Sequence, residues 1–222
     1  PTPAPGSTQS VDAASLHGTI LRDLGAATNK DEACVILSKV DSASLTPEQK
    51  KALDLVQRPP RPPVGTTGPF IPLLRSPELM NRLQETGAYL RFQSSLPQKL
   101  VNMIALLTAR QYTQQYEWDG NYPMSIKNGL SPAIADAIGD GRRPANMDAD
   151  EEMLYNFVTE LFQNKSVSDA TYERMVSKFG EKGAVEAAAT VGYYSTLAGI
   201  MNMARSPRQP DSKAPVLPRL PN

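Results

Sequence analysis

Apolar residues along this chain recur at helical spacing, and proline and glycine separate the helical segments from one another. No run alternates apolar and polar residues over the length of a β-strand, so the pattern predicts an all-α protein. About six helices are predicted between positions 76 and 205. The helix that begins after Ser95-Leu96-Pro97 is apolar nearly all round, which is typical of a central, buried helix.

Short polar residues followed by proline or acidic residues mark where several helices begin. Such residues accept hydrogen bonds from the free N–H groups of a first helical turn, and proline fits that turn. Gly180 is expected to end one helix, and the last and longest helix is expected from 181 or 182 to about 204. The predicted helix starts are Thr46-Pro47, Ser76-Pro77, Ser131-Pro132, Asp148 and Ser168.

Two proline clusters divide the chain into three units, because proline does not fit the interior of a helix. The first cluster ends at Pro63 and the second begins at Pro207. We therefore predict an N-terminal helical extension with a proline-rich linker at 1–66, a helical domain at 67–206 and an extended proline-rich tail at 207–222. The tail is expected to be loosely packed or to dock on a neighbouring molecule.

Charge and rare residues exclude several classes of function. The chain has 222 residues, and 23 Lys and Arg residues balance 23 Asp and Glu residues. Without a basic excess, neither nucleic acid nor an anionic membrane is expected as a partner. One cysteine, Cys34, and one histidine, His17, exclude an intrachain disulfide and a multi-histidine metal site. Both lie in the extension, where helices are predicted near 11–24 and 30–40. Cys34 is expected to be a buried structural thiol, and His17 a surface or packing residue.

Two segments bear on the location of the protein. Residues 1–10 have neither the basic nor the apolar region of a signal peptide, so none is expected. A cytoplasmic protein and a secreted or periplasmic protein after processing remain alternatives. The weakly polar segment 183–204 carries Glu186 and Asn202, and we expect a buried core helix there rather than a membrane span.

The densest group of polar and aromatic side chains lies at 112–122, after the most apolar predicted helix. In a helix, Glu117 and Asn121 share one face, one turn apart. A carboxyl group beside an amide can bind and polarise a small polar substrate, and burial raises the pKa of Glu117 toward the range useful for acid–base catalysis. The alternative is a structural Glu–Asn pair that caps a helix junction. Arg110, two helical turns before Glu117, is expected to form an internal ion pair or to bind an anion.

An ordered set of short motifs spans positions 67–205. They are Gly68-Pro69-Phe70, Ser76-Pro77-Glu78-Leu79, Gly87-Ala88-Tyr89-Leu90-Arg91-Phe92, Ser95-Leu96-Pro97, Ala109-Arg110, Tyr116-Glu117-Trp118, Gly129-Leu130-Ser131-Pro132, Val167-Ser168-Asp169-Ala170-Thr171-Tyr172 and Gly192-Tyr193-Tyr194. In order and spacing this set resembles the carboxymuconolactone decarboxylase family, which belongs to the alkylhydroperoxidase D-like superfamily.

The resemblance implies an alkylhydroperoxidase D-like helical bundle that forms homo-oligomers, commonly trimers or hexamers, with sites near subunit interfaces. Peroxidase members carry a Cys-x-x-Cys pair and a histidine four residues later. The matching positions here are Gln114, Glu117 and Asn121, so thiol peroxidase chemistry is not expected. Decarboxylase-like members keep a glutamate, which Glu117 matches, and a histidine, which Asn121 replaces. Many relatives have a second glutamate fifteen residues before Glu117, where this chain has Asn102.

The first functional hypothesis is a cofactor-free, decarboxylase- or lyase-like enzyme that acts on a small carboxylated or lactone-type substrate. Glu117 would be the general acid or base, and Asn102 and Asn121 would polarise and orient the substrate. No metal is expected. The residues expected to bind the substrate are Trp118, Tyr116, Arg110 and Tyr194.

Two further hypotheses stay open. The chain could be a non-catalytic oligomeric binding or scaffold protein on a degenerate alkylhydroperoxidase D-like fold, in which the extension and the tail wrap neighbours or bind a partner. It could also handle peroxide through Cys34, outside the family site.

Overall fold

The computed structural model describes residues 44–59 and 67–218. All regular secondary structure in these two segments is helical, which confirms the all-α prediction. The eight helices are α1 Pro47–Val56, α2 Phe70–Leu73, α3 Pro77–Phe92, α4 Gln98–Gln111, α5 Gln115–Lys127, α6 Pro132–Gly139, α7 Ala149–Asn164 and α8 Asp169–Met203.

The helix starts follow the polar caps of the sequence. Thr46 caps α1 and Asp148 caps α7, each through a capping box in which the third helical residue bonds back to the cap backbone. Ser168 caps α8 through a bond from the backbone N–H of Thr171. Ser76 makes no such side-chain bond, and at that start proline occupies the first turn of the helix. The predicted helices near 11–24 and 30–40, Cys34 and His17 lie outside the described residues.

Helix α4 is the centre of the molecule. Ten of its fourteen residues are buried, as its nearly all-round apolar pattern predicts. One core cluster packs around its Leu100, Ile104 and Leu106 with side chains of α6, α7 and α8 as far as Val191. A second cluster joins α1, α2 and α3 to the last turns of α8. The candidate site described below lies beside this second cluster.

Helix α8 bends at Gly180 and is tied to the connection between α3 and α4. Gly180 has φ 69° and ψ 172°, which interrupts the helical backbone where the sequence predicts a helix end. Farther along α8, the buried carboxylate of Glu186 accepts hydrogen bonds from the backbone N–H and the hydroxyl of Ser95, at 2.7 and 2.6 Å, and from the hydroxyl of Tyr89. These bonds fix the end of α3 against α8.

Two features of the structure differ from the sequence-based expectation. Helix α5 continues through Pro123, although proline inside a helical pattern usually predicts a helix end at the preceding residue. The tail is not loosely packed over its described part, because Ala214 and Leu217 are buried in the first core cluster. Proline excludes the tail from a helix, but an extended segment can still bury every second or third side chain.

Among the described residues, no helix combines the length and the apolar character that a membrane crossing requires. The weakly polar segment 183–204 belongs to α8 up to Met203, and many of its residues are buried.

Candidate functional site

A small cavity of about 160 Å³ lies between α5 and the last turns of α8. Its volume is close to that of cavities of about 150 Å³ that hold a benzene-sized molecule. Five parts of the chain contribute to it. The lining residues are Pro69 and Phe70 at α2, Arg91 of α3, Tyr116, Glu117, Gly120 and Asn121 of α5, Tyr193, Tyr194, Leu197 and Met201 of α8, and Gln209 of the tail.

Glu117 lies in the first turn of α5 and is only 4% exposed. Both carboxyl oxygens are buried, and neither has a hydrogen-bond partner among the described residues. Burial raises the pKa of Glu117 well above its usual value, and the positive charge of Arg91 offsets only part of this effect. The protonated carboxylic acid is therefore the favoured form over a wider pH range than for an exposed glutamate.

Asn121 follows Glu117 by one helical turn, as the spacing predicts. Its Nδ2 donates to the backbone carbonyl of Glu117 at 2.8 Å. The hydroxyl of Tyr194 donates to Oδ1 of Asn121 at 3.5 Å, a long hydrogen bond that links α8 to α5. Asn121 and Tyr194 thus lie together on the cavity with Glu117.

Tyr116 lines the same cavity through a close approach to the segment before α2. Its hydroxyl donates to Oγ1 of Thr67 at 2.8 Å. Gly68 has φ 57°, and a Cβ added there would lie 2.2 Å from the Tyr116 ring. Only glycine fits this position, because any side chain would displace Tyr116 and strain the backbone. The Gly68-Pro69-Phe70 motif therefore contributes directly to the cavity.

Arg91 is the one cationic side chain among the residues that line the cavity. It forms no ion pair within the described part of the chain, and its guanidinium lies over the ring of Phe92 at 5.0 Å from the centroid. Because Glu117 favours its neutral form, the cavity carries a net positive charge. Apart from its place in the motif at 87–92, nothing in the sequence marks Arg91 as a site residue.

Three of the residues expected at the site lie elsewhere. Asn102 accepts a hydrogen bond from Nδ2 of Asn128 at 2.6 Å, near the opposite end of α5. Trp118 is fully buried in the first core cluster, against Gly139. None of the described contacts brings Asn102 or Trp118 to the cavity that Glu117 lines. The third residue is Arg110, which lines a different cavity.

Arg110 does not pair with Glu117, contrary to the expectation from their spacing. That expectation assumed one continuous helix, but the chain turns between α4 and α5, where Thr113 has φ 48°. Arg110 instead donates from Nη1 to the carbonyl oxygens of Gly139 at 3.2 Å and Pro218 at 2.6 Å. It lines a different cavity, which shares no residue with the first.

The tail closes one side of the cavity through Asp119. The Asp119 side chain is fully buried and accepts hydrogen bonds from Gln115 of α5 and from three tail residues, Arg208, Gln209 and Ser212. These bonds place Gln209 beside Gly120, where a Cβ would lie 2.7 Å from the Gln209 Nε2. Nothing in the local sequence marks Gln209, because its role depends on contacts with residues about ninety positions earlier.

No protein-family model matches this chain, and no curated protein sequence matches it. Within the described ranges, no group of three or more His, Cys, Asp or Glu side chains has a geometry that could hold a metal ion.

The cavity combines three chemical properties. It holds a carboxyl group that favours the neutral form and has no internal partner, one guanidinium, and the polar side chains of Asn121, Tyr194 and Gln209 on otherwise aromatic and apolar surroundings. A neutral carboxylic acid donates a proton, and its conjugate base accepts one, so Glu117 has the properties of a general acid and base. A guanidinium attracts an anionic ligand group.

Proposed function

We propose that this chain is a divergent member of the carboxymuconolactone decarboxylase family and a cofactor-free, decarboxylase- or lyase-like enzyme. Its substrate would be a small carboxylated or lactone-type molecule, with Glu117 as the general acid and base. The observation that carries the proposal is the buried, unpartnered carboxyl group of Glu117 at a cavity of about 160 Å³. An unpartnered buried carboxyl group costs stability, and such a cost is common at functional sites.

In the proposed reaction, the bond between the substrate carbon and its carboxylate breaks and carbon dioxide leaves. The electron pair of that bond stays on the substrate as an enolate. Glu117 then gives its proton to the enolate carbon and becomes a carboxylate, which regains a proton from water. The amide of Asn121 and the hydroxyl of Tyr194 are the polar groups next to Glu117 that would orient the substrate.

Arg91 supports a substrate that keeps a negative charge. Its guanidinium would bind a carboxylate that remains through the reaction, and not the one that leaves. An ion pair with the departing carboxylate would stabilise the reactant more than the transition state and would slow the reaction. The proposed substrate therefore has a carboxylate in addition to the group that reacts.

The test is turnover of a panel of small lactones, β-keto acids and unsaturated dicarboxylic acids, followed by carbon dioxide release and by lactone absorbance. Glu117→Gln keeps the size of the side chain and removes its acidity, so we expect it to lower kcat at least about 100-fold. The exposed Glu173→Gln is the matched control and should leave turnover unchanged. A Glu117→Gln variant as active as the wild type contradicts the proposal, and a wild type that neither turns over nor binds any member favours the scaffold hypothesis.

The resemblance also leads us to propose a homo-oligomer, a trimer or a hexamer. A second cleft, of about 470 Å³, lies between α3 and α8 and exposes Tyr89 and Val185, and we propose it as the place of a contact between subunits. Light scattering at several concentrations tests this, and a monomeric mass throughout would contradict it.

A further inference from the structure

The guanidinium of Arg110 is buried without a complete set of partners. Arg110 is 5% exposed, and its Nη1 donates to the carbonyl oxygens of Gly139 and Pro218. Its Nε and Nη2 are buried and have no hydrogen-bond partner in the part of the chain that the structure describes. Most buried side-chain donors in proteins are paired, so two unpaired donors on one cation require an explanation.

The two unpaired donors lie on the same edge of the guanidinium. Nε–H and one N–H of Nη2 point in parallel along that edge, and this geometry matches the two oxygens of a carboxylate or another oxyanion. The carbonyl bonds at Nη1 hold the guanidinium in place, and the other edge is shielded from solvent but has no hydrogen-bond partner in the described part of the chain. The donor pattern is thus suited to bidentate binding of one oxyanion.

A cavity of about 160 Å³ lies next to Arg110, bordered by α4, α7 and the turn after α6. Its polar lining includes Gln111, Arg142, Thr159 and Gln163, and none of the residues that line it is acidic. The carboxylate of Asp140 acts electrostatically on Arg110, but it already pairs with Arg142 at 2.7 Å. Arg110 is therefore the uncompensated positive charge of the cavity, and hydroxyl and amide groups lie on the same lining.

We propose that this cavity binds a small oxyanion, with Arg110 as its principal ligand. The anion accepts two parallel hydrogen bonds from Nε and Nη2 of Arg110, once the side chains that shield this edge move aside. A carboxylate fits this edge best because it is planar, and sulfate or phosphate presents the same pair of oxygens. The site is separate from the cavity of Glu117 and does not depend on the proposed enzyme activity.

Isothermal titration with sodium acetate and sodium sulfate, each matched in ionic strength to sodium chloride, tests the site. We expect saturable binding of one oxyanion per chain. Chloride should have no comparable effect, because a single atom cannot present two separate acceptors to two parallel N–H groups. Arg110→Gln should weaken this binding about tenfold or more. Arg82→Gln removes an equal charge from an exposed pair on α3 and should leave the binding unchanged.

Arg110→Gln could impair folding, so two other lining residues are also changed. Arg142→Gln leaves the negative charge of Asp140 unpaired beside the cavity, and Thr159→Val removes a hydroxyl group, so each variant should weaken binding. A selenate soak of crystals locates the anion directly, with an anomalous peak expected at hydrogen-bond distance from Nε and Nη2 of Arg110. Three results overturn the proposal: no binding beyond that of chloride, full binding in Arg110→Gln, or a carboxylate of a second copy of the chain on this edge.

Discussion

Asp119 holds Gln209 at the cavity. Oδ2 of Asp119 accepts a hydrogen bond from the backbone N–H of Gln209 at 2.9 Å, and its Oδ1 accepts from Arg208 and Ser212. The Gln209 side chain then donates to the carbonyl oxygen of Tyr116 at 3.2 Å. One buried carboxylate therefore attaches the tail to α5 and completes the cavity that Glu117 lines.

We expect Asp119→Asn to lower the free energy of unfolding by about 1.5–3 kcal/mol, because the bonds to a charged acceptor are among the strongest in the tail. Urea denaturation measures this change. Hydrogen exchange should show that the amide of Gln209 loses protection. The matched control is Asp211→Asn in the exposed turn of the same tail, where φ is 61°, a conformation that asparagine tolerates. Equal effects at both positions would show that Asp119 has no special role.

Leu217 and Val216 are neighbours in the tail with opposite environments. Leu217 is 6% exposed and packs in the first core cluster, whereas Val216 is 67% exposed. We expect Leu217→Ala to cost about 2–5 kcal/mol of stability and Val216→Ala to stay within about 0.5 kcal/mol of the wild type. Thermal and chemical unfolding of both variants measure the difference. A small effect of Leu217→Ala would mean that the tail is not anchored in solution.

The stability of the protein should depend on pH through Glu117. Its pKa is raised in the folded state above the ordinary value of 4.5, so the folded protein holds a proton that the unfolded chain releases above about that pH. The contribution of Glu117 to stability is full below pH 4.5. It falls by up to about 1.4 kcal/mol per pH unit as pH rises toward the folded pKa.

Glu117→Gln removes this dependence. We expect the stability of Glu117→Gln relative to wild type to increase with pH, as measured by urea unfolding at pH 4, 6 and 8. A difference that stays constant over this range would show that Glu117 ionises as readily in the folded protein as in the unfolded chain.

The side chain of Tyr193, which lines the cavity, packs directly against Gly87 and leaves no room for a Cβ atom there. A Cβ at Gly87 would lie 2.1 Å from the Tyr193 hydroxyl, so Gly87→Ala must displace that side chain. We expect a loss of about 1–3 kcal/mol from overpacking. Gly192, one residue before Tyr193, has open space where its Cβ would be. Gly192→Ala should stabilise the helix by about 0.5–1 kcal/mol, and a calorimetric comparison in which both variants respond alike would contradict the packing described here.

Local sequence predicts most helix starts of this chain, because caps and proline act within one turn. The capping box at Thr46 and the interruption at Gly180 follow from neighbouring residues alone. The pairing of Glu117 with Asn121 also follows from helical periodicity. Trp118, which the sequence also predicts as a wall of the site, packs instead in the first core cluster against Gly139.

The rest of the cavity depends on packing between distant segments. Arg91 comes to Glu117 because Ser95 and Tyr89 attach the end of α3 to α8. Gln209 is placed by a hydrogen bond to Asp119, ninety positions earlier. Periodicity and capping carry no information about such contacts, so the sequence identified the carboxyl group but not its cationic neighbour.

The attachment of the tail also sets the order in which the site can form during synthesis. Helices α3 to α8 are complete when Met203 has left the ribosome, but the cavity still lacks Gln209 and its bond to Asp119. Until the tail emerges, the Asp119 side chain lacks the three hydrogen bonds that it accepts from Arg208, Gln209 and Ser212. A nascent chain can therefore form its helices while the cavity still lacks one of its lining residues, and the cavity is complete only after the tail is made.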